Sequence, residues 1–255
     1  MTMNIYNKDS SKIIRQSILS MSYSSKVAHI PSAFSMCDYL GVLFDNVISP
    51  KTHRFVFGKP FGAQAYYALF AYFGWIDNDL SKYGSMDPEW RYIIQNTHPL
   101  VAYIDESMGN CLSVACGIAT ANINVFVNIS DAAFQEGTIW ESVQYAGAKK
   151  LSKIIMAIDN NNMQALGKIS DISDLGNLSH KLQEFGWESI ECDGHDIEAL
   201  RKVSEQILHS AKRKPIALVF HTSKGRGVSF MEGHAEWHYG ILDDVSYNKA
   251  MQELK

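Results

Sequence analysis

The sequence has few of the features that mark disulfide-rich, membrane or nucleic-acid-binding proteins. Its four cysteines form no Cys-x-x-Cys pair, and three of them lie in apolar, helix-like segments, so we expect buried thiols. No apolar run approaches the roughly 20 residues that span a bilayer, and the N-terminal segment lacks the apolar region of a secretory signal. Lys and Arg are scattered at a net charge of -4, which argues against a nucleic-acid or membrane surface. We therefore expect a cytoplasmic protein.

The chain also lacks repeats, low-complexity tracts and linkers rich in Pro, Gly or Ser. Apolar segments of strand length alternate with segments of helical periodicity. The predicted strands are 54–58, 123–130, 153–159, 187–192 and 215–222, and the predicted helices are 63–74, 106–121, 135–150 and 196–213. This alternation predicts βαβ units and therefore an α/β fold, a doubly wound and mostly parallel sheet with helices on both faces.

Polar residues follow two of these strands at the point where each strand ends. Asp131 comes directly after 123–130, and Asn160 to Asn162 follow 153–159. Ligands of parallel sheets bind beyond the carboxyl ends of the strands, so we expect these side chains to share one crevice. A carboxylate, an amide and a backbone carbonyl suit Mg²⁺ or Ca²⁺, and so sparse a site implies a phosphorylated cofactor. A helix cap at Asp131 and a turn at the asparagines would explain the same spacing.

Longer motifs around these residues resemble the transketolase family. The segment "SDAAFQEGTIWESVQYAGAKKLSKIIMAIDNNNMQALG" resembles the family's thiamine diphosphate motif, which runs Gly-Asp-Gly, Leu-Gln-Glu-Gly and then Asp-Asn-Asn. Further segments are similar to family segments in the same order: "AHIPSAFSMCDYLGVLF", "RFVFGKPFGAQAYYALF", "SMGNCLSVACGIA", "DGHDIEAL" and "HTSKGRGVSFMEGHAEWHYG". The resemblance covers most of the chain. It implies the thiamine-diphosphate-binding fold, with residues 1–255 forming a single domain of the diphosphate-binding type.

The resemblance also implies which residues hold the cofactor. By position, Asp131, Asn161 and the main-chain carbonyl of Met163 would bind the Mg²⁺ (or Ca²⁺) that anchors thiamine diphosphate. Residues that the resemblance places around the cofactor itself are Lys59, Met108, Gly109, Ser130 and Ala132. The reaction implied is the transfer of a two-carbon ketol unit from a ketose to an acceptor aldehyde, for which the cofactor supplies the chemistry.

Four residues match the family's catalytic set. His29, His98 and His238 match histidines that line the cofactor and substrate pocket, where they would transfer protons. Glu136, in "FQEG", matches a glutamate at the family's subunit interface. For each histidine, a satisfied structural or surface residue is the alternative.

Two further patterns receive a structural interpretation. His234 and His238 lie four residues apart, but no His-Glu-x-x-His pattern is present and Gly233 favours a loop, so we expect no zinc site. The "DGHD" segment at 193–196 is interpreted as a turn before a helix, with Asp196 as the N-cap.

The resemblance covers only part of a transketolase. A full transketolase is more than twice this length, and the pyrimidine-binding domain, with the glutamate that activates the aminopyrimidine, has no counterpart in this sequence. The chain is therefore either an inactive relic or one half of a split enzyme, and we favour the second. We expect a partner subunit that carries the missing domain, an α₂β₂ heterotetramer, and a small sugar or acyl substrate.

Several family residues are replaced. Ser130 and Ala132 stand for the glycines of Gly-Asp-Gly, and an alanine forced to positive φ would cost roughly 1–2 kcal/mol. Phe61 replaces a histidine, and Glu106 replaces a glycine with a charge that would disfavour a phosphorylated substrate. These changes favour an unusual acceptor, such as a modified sugar or a carrier-bound acyl group. The alternatives are a scaffold subunit that has lost its cofactor, or another thiamine-diphosphate lyase or synthase.

Overall fold

The computed structural model describes residues 5–95, 98–211 and 213–255. Its strands are β1 (Arg54–Gly58), β2 (Val101–Ile104), β3 (Val125–Ser130), β4 (Ile154–Asn160), β5 (Met163–Gln164), β6 (Gly167–Lys168), β7 (Glu188–Asp193) and β8 (Ile216–His221). Its α-helices are α1 (Lys8–Ser25), α2 (Ile30–Asn46), α3 (Gln64–Tyr72), α4 (Cys111–Thr120), α5 (Gly137–Ala148), α6 (Ile169–Ile172), α7 (Leu178–Glu184), α8 (Ile197–His209) and α9 (Asp244–Glu253). Short 3₁₀ turns lie at Leu80–Lys82, Asp131–Gln135 and Ala235–His238.

Six strands form one parallel sheet in the order β2-β1-β3-β4-β8-β7, while β5 and β6 form a small antiparallel hairpin. From β1 the chain passes to β2 on one side and then returns to form β3 on the other. The strand order therefore reverses between β1 and β3, and such a switch point leaves a ligand crevice beyond the carboxyl ends of the strands. The predicted doubly wound parallel sheet is confirmed.

Hydrophobic cores cover both faces of the sheet. Phe55 and Phe57 of β1 lie in a core with residues of α1, α2, α3 and α8, whereas Val56 lies in a second core with residues of α4, α5 and α7. Successive side chains of a strand point to opposite faces, which divides β1 between the two cores. All three side chains are fully buried, as expected of a parallel sheet covered on both sides.

The predicted helices are confirmed, with one shortened. The segments 63–74, 135–150 and 196–213 contain α3, α5 and α8, although residue 212 lies outside the described residues. The helix predicted over 106–121 begins only at Cys111. The Asp105 carboxylate accepts hydrogen bonds from the backbone nitrogens of Gly109, Asn110 and Cys111 at 3.1, 3.0 and 2.9 Å, which holds residues 106–110 as a loop.

The cysteines are free thiols. Cys37, Cys111 and Cys116 are buried in helices, as predicted, and Cys192 is half-buried in β7. Within the described ranges, no helix has both the length and the hydropathy needed to cross a bilayer. Residues 1–4 of the N-terminal segment considered above lie outside the described residues.

Candidate active site

A crevice of about 430 Å³ lies at the switch point, beyond the carboxyl ends of β1 and β3. Four strands contribute to its wall: Lys59 follows β1, Glu106 follows β2, Ser130 ends β3 and Asn161 follows β4. The predicted cofactor and catalytic residues that line it are Lys59, Met108, Ser130, Ala132, Asn161, Met163 and His238. The parallel topology therefore brings together residues that are up to 179 positions apart in the chain, from Lys59 to His238.

Asp131 lies beneath this crevice and is only 1% exposed. Its Oδ1 accepts a hydrogen bond from the backbone nitrogen of Ala132 at 2.8 Å, and its Oδ2 accepts one from Asn162 at 2.6 Å. Burial and the nearby charge of Asp159 raise the pKa of Asp131 to about 7. The described hydrogen-bond donors to this buried carboxylate are neutral amides, so a bound cation would stabilise its charged form.

The asparagines after β4 form a turn that carries the other predicted metal ligands. Asn162 has a φ of 55°, and the Oδ1 of Asn161 accepts a hydrogen bond from the backbone nitrogen of Met163 at 2.9 Å. The backbone nitrogen of Asn162 joins this turn to Asp131. Asp131 begins a 3₁₀ turn and does not cap α5, which starts six residues later at Gly137. The predicted turn and the predicted shared crevice are therefore both present.

Asp159 is a site residue that the sequence reasoning missed. It is fully buried near the end of β4, where its Oδ2 forms an ion pair with Lys59. The same oxygen accepts hydrogen bonds from Ser35 Oγ at 2.6 Å and from Asn161 Nδ2 at 3.2 Å, and Oδ1 accepts one from Thr222. Burial alone would raise the pKa of Asp159, but the charge and hydrogen bond of Lys59 lower it. Asp159 therefore stays charged and orients the Asn161 amide.

Two of the predicted histidines meet at the mouth of the crevice. The ring centroids of His29 and His238 are 4.9 Å apart, and His29 stacks on Phe61 at 4.7 Å and contacts the edge of Tyr239 at 5.4 Å. His29 precedes α2 with a φ of 70°, a conformation that is costly for a residue with a side chain. Burial and the charge of Lys224 lower the pKa of His29 to about 4 and of His238 to about 3. Both imidazoles are therefore neutral near pH 7.

Lys224 is the second site residue that the sequence reasoning missed, although it lies in the quoted segment "HTSKGRGVSF". Its Nζ lies 2.7 Å from Nδ1 of His238. An ammonium group can only donate, so Nδ1 accepts and the proton of the neutral His238 ring lies on Nε2. Burial and the charge of Lys59 lower the pKa of Lys224 to about 8. Two lysines that line one crevice favour an anionic ligand.

The structure does not bring His98 to the crevice. This residue is 3% exposed, its Nδ1 accepts a hydrogen bond from the backbone nitrogen of Leu100 at 3.2 Å, and its ring lies about 6 Å from those of Tyr67 and Phe70. Burial lowers its pKa to about 4. The placement of His98 in the core beside α3 favours the structural alternative that the sequence left open.

Glu136 and Gly109 lie behind the crevice lining. Glu136 is half-buried in front of α5, and Gly109 turns the loop that precedes α4 with a φ of 122°. A Cβ added at Gly109 would come within 2.7 Å of Thr138 Oγ1, so this turn requires glycine. Gly109 therefore shapes the loop that places Met108 in the crevice lining.

The backbone strain expected at the replaced family glycines is not found. Ser130 has a φ of −89°, and Ala132, inside the 3₁₀ turn Asp131–Gln135, is not among the residues with positive φ. Both positions adopt conformations that any residue accepts. The condition for that cost, a positive φ at Ala132, is therefore not met.

Two patterns received a structural interpretation from the sequence, the His234 and His238 spacing and the "DGHD" segment. His234 lies 3.1 Å from Glu236, while His238 faces Lys224, so the two histidines have different partners. His234 directly precedes a short 3₁₀ turn, Ala235–His238, that ends at His238, where a loop was expected. Asp196 is confirmed as the N-cap of α8, because its Oδ1 accepts hydrogen bonds from two backbone nitrogens of the first turn at 3.0 and 3.2 Å.

Comparisons with known proteins place the chain among thiamine-dependent enzymes. Residues 111–254 match the family model "Transketolase, thiamine diphosphate binding domain". An apulose-4-phosphate transketolase subunit of Actinobacillus succinogenes is 30% identical over 276 aligned positions, which cover 99% of this chain and 99% of that protein. A 6-deoxy-6-sulfo-D-fructose transketolase subunit of Clostridium sp. is 29% identical and is covered over 89% of its length. The crystal structure of Campylobacter jejuni transketolase matches with a TM-score of 0.85 at 21% identity, over 97% of this chain and 42% of that one.

Proposed function

This chain belongs to the transketolase family, and we propose that it is the diphosphate-binding subunit of a two-subunit enzyme that transfers two-carbon ketol units. The observation that carries the proposal is the buried carboxylate of Asp131 at the switch-point crevice, whose described hydrogen-bond donors are neutral amides and whose pKa is raised to about 7, while Lys59 and Lys224 line the crevice. A divalent cation held by this carboxylate would offset its charge and attract a diphosphate.

We propose that the metal is Mg²⁺, with Ca²⁺ as a substitute. Asp131, the Asn161 Oδ1 and the carbonyl of Met163 would hold it, since all three offer hard oxygen atoms around one turn. Asp159 supports this ligand set because it accepts a hydrogen bond from Nδ2 of Asn161 and so orients the amide. Oδ1 accepts one hydrogen bond from the Met163 nitrogen and keeps a second lone pair for the metal. Lys224 and the backbone around Ser130 and Ala132 would face the diphosphate.

Bound thiamine diphosphate supplies a nucleophilic thiazolium carbon, which allows a bond next to a ketose carbonyl to be broken and formed. The chain's own residues would bind and protonate the substrate. Neutral His238 holds its proton on Nε2, where it can donate a hydrogen bond to a substrate oxygen. Neutral His29, packed against His238 and Phe61, can accept a proton from a substrate hydroxyl group. The shared aromatic packing fixes the two rings relative to each other.

A second chain is part of the proposal. The relatives aligned along most of their length are named as transketolase subunits, whereas this chain spans only 42% of the Campylobacter jejuni transketolase. We propose that residues 1–255 form one domain, and that the partner carries the pyrimidine-binding domain in an α₂β₂ heterotetramer. Glu136 would lie at the interface between the chains. The four free thiols support an assembly that works in the reducing cytoplasm.

The acceptor is proposed to be unusual for the family. Phe61 is 39% exposed and Met108 is 44% exposed at the mouth of the crevice, beside the exposed carboxylate of Glu106. An apolar wall with one negative charge favours a neutral acceptor, such as a modified sugar or a carrier-bound acyl group, over a phosphorylated aldehyde.

Activity of the separate and mixed subunits tests the proposal. The chain and its partner are purified separately, and ketol transfer from a ketose donor is measured for each alone and for the mixture with thiamine diphosphate and Mg²⁺. We expect transfer only in the mixture. Full transfer by this chain alone would exclude the split enzyme. A mixture that assembles without transfer or cofactor binding would favour a scaffold subunit, and decarboxylation or condensation without transfer would favour another lyase or synthase.

A further inference from the structure

His195, in the "DGHD" turn between β7 and α8, links a buried carboxylate of α2 to the segment that carries Lys224. Its Nδ1 lies 2.8 Å from Asp38 Oδ2, and its Nε2 accepts a hydrogen bond from the backbone nitrogen of Ser223 at 2.9 Å. A backbone nitrogen can only donate, so Nε2 carries no proton and Nδ1 donates its proton to Asp38. The side chain is only 9% exposed. Both ring nitrogens are therefore committed to structural partners.

The carboxylate that holds His195 is itself immobile. The carboxylate of Asp38 accepts hydrogen bonds from both terminal nitrogens of Arg15, at 2.9 and 2.6 Å, and one from the hydroxyl group of Tyr6. Burial alone would raise the pKa of Asp38, but the charge of Arg15 and the hydrogen bond from His195 hold it well below its usual range. Asp38 is therefore a fixed, ionised acceptor inside α2, and the imidazole bonded to it has one orientation.

The segment beyond His195 is held by hydrogen bonds on both sides of Lys224 and at Lys224 itself, whose carbonyl accepts one from the backbone nitrogen of Gly233 at 2.9 Å. The backbone nitrogen of Ser223 donates to His195, and the backbone nitrogen of Gly225 donates to the carbonyl of Pro31 at 3.0 Å, in the first turn of α2. Lys224 lies between these two anchors, so the path of its backbone is set by α2 on one side and by the His195 ring on the other.

Gly225 adds a steric restriction to the second anchor. Its φ is 85°, which favours glycine, and a Cβ at this position would come within 2.4 Å of the Met231 carbonyl oxygen. The backbone after Lys224 therefore has little room to shift. Before Lys224, the hydrogen bond from Ser223 to His195 adds to those from Thr222 to the carbonyl of Asn160, at 3.3 Å, and to Asp159, and it is the one nearest to Lys224.

We propose that His195 is a positioning residue, which holds the Ser223 amide so that Lys224 presents its ammonium group to the crevice and to Nδ1 of His238. The inference rests on the proposed function in one respect, namely that the anion bound by Lys224 is a diphosphate. His195 is not among the described residues that line the crevice, so its effect passes through the backbone of residues 222–225.

Two substitutions separate the two hydrogen bonds of His195. In His195→Gln the amide oxygen takes the place of Nε2 and can accept a hydrogen bond from the Ser223 nitrogen, while the hydrogen bond to Asp38 is lost. In His195→Asn the amide nitrogen takes the place of Nδ1 and can donate to Asp38, while the Ser223 nitrogen is left without its acceptor. Both variants lose the ring, so a purely structural role predicts similar effects. His180→Asn, at an exposed histidine that faces Glu184, is the matched control.

The first readout is hydrogen exchange of residues 222–227 in the full chain, measured by mass spectrometry. We expect exchange about tenfold faster in His195→Asn than in the wild type, and within about twofold of the wild type in His195→Gln and His180→Asn. Equal exchange in the Asn and Gln variants would overturn the proposal, because the Ser223 bond would then have no special effect.

The second readout is the dissociation constant for thiamine diphosphate, measured by calorimetry on the two-subunit complex with Mg²⁺. We expect about a tenfold increase in His195→Asn and less than about a threefold increase in His195→Gln. An unchanged constant in His195→Asn would overturn the link to Lys224. A wild-type complex that binds no thiamine diphosphate would refute the proposed function instead, and the exchange measurement would still decide the role of His195.

Discussion

The Oδ2 of Asp131 accepts a hydrogen bond from the backbone nitrogen of Asn162 at 2.6 Å, and this contact joins the ends of two neighbouring strands. It places the buried carboxylate beside the turn that carries Asn161 and Met163. Because the hydrogen-bond donors to this carboxylate in the described part of the chain are neutral backbone amides, the contact arranges the proposed metal ligands without neutralising them.

The two lysines of the crevice are predicted to differ in their effect on stability. Lys59→Met would leave the buried carboxylate of Asp159 without its ion pair, and we expect the free energy of unfolding to fall by about 3–5 kcal/mol. Lys224→Met removes a desolvated cation whose described hydrogen-bond partner is the neutral His238 ring, so we expect a change within about 1 kcal/mol. Chemical denaturation of the metal-free chain measures both, and a larger loss in Lys224→Met would contradict this assignment of charges.

Acid is predicted to destabilise the chain partly through His29 and His238. Their folded pKa values, about 4 and about 3, lie below the ordinary value of 6.5, so below pH 6.5 the unfolded chain takes up protons that the folded chain does not. Their stabilising contribution is present in full above pH 6.5 and is lost progressively as the pH falls toward 3. The double variant His29→Gln/His238→Gln should therefore lose less stability than the wild type between pH 7 and 4, measured by denaturant titration at each pH. Parallel losses in the two proteins would contradict the lowered pKa values.

The acceptor preference is predicted to depend on Glu106. Removing its charge in Glu106→Gly should raise kcat/KM for a phosphorylated acceptor aldehyde about fivefold, because a carboxylate near the substrate costs about 1 kcal/mol toward a second anion. The kcat/KM for the matching unphosphorylated aldehyde should change less than about twofold. Steady-state kinetics of the two-subunit enzyme with both aldehydes measure the ratio. Equal changes for the two acceptors would show that Glu106 does not discriminate by charge.

Phe61→His is predicted to affect the histidine pair as well as the acceptor. The substitution places a polar group at the mouth and replaces the phenyl ring that stacks on His29 at 4.7 Å by a smaller, polar imidazole ring. We expect a more exposed His29 whose pKa moves up from about 4 toward its ordinary value, because burial is the main cause of the shift. Proton NMR of the imidazole across a pH titration measures this, with Phe185→His as a control for a partly exposed phenylalanine outside the crevice. An unchanged pKa would show that Phe61 does not shield His29.

The sequence predicted five of the six strands of the sheet and the polar residues at its carboxyl edge, because both depend on local patterns, whereas β2 (Val101–Ile104) was not predicted. Alternating strand-like and helical segments specify the parallel sheet, and polar residues directly after strands mark its carboxyl edge. Asp159 was missed because its partner Lys59 lies 100 residues earlier in the chain. Lys224 was missed because its contact with His238, 14 residues later, depends on how the chain turns between them. The early start predicted for α4 failed because the Asp105 side chain competes for the first backbone nitrogens of that segment.

Calorimetric titration of the two-subunit complex with thiamine diphosphate, with and without Mg²⁺, tests the proposed metal clamp most directly. The matched variants are Asp131→Asn, which removes the proposed anionic ligand, and Asp171→Asn, an exposed carboxylate outside the crevice. We expect Mg²⁺-dependent binding in the wild type and in Asp171→Asn, and at least about a hundredfold weaker binding in Asp131→Asn. Binding of equal strength without divalent metal, or in Asp131→Asn, would contradict the clamp.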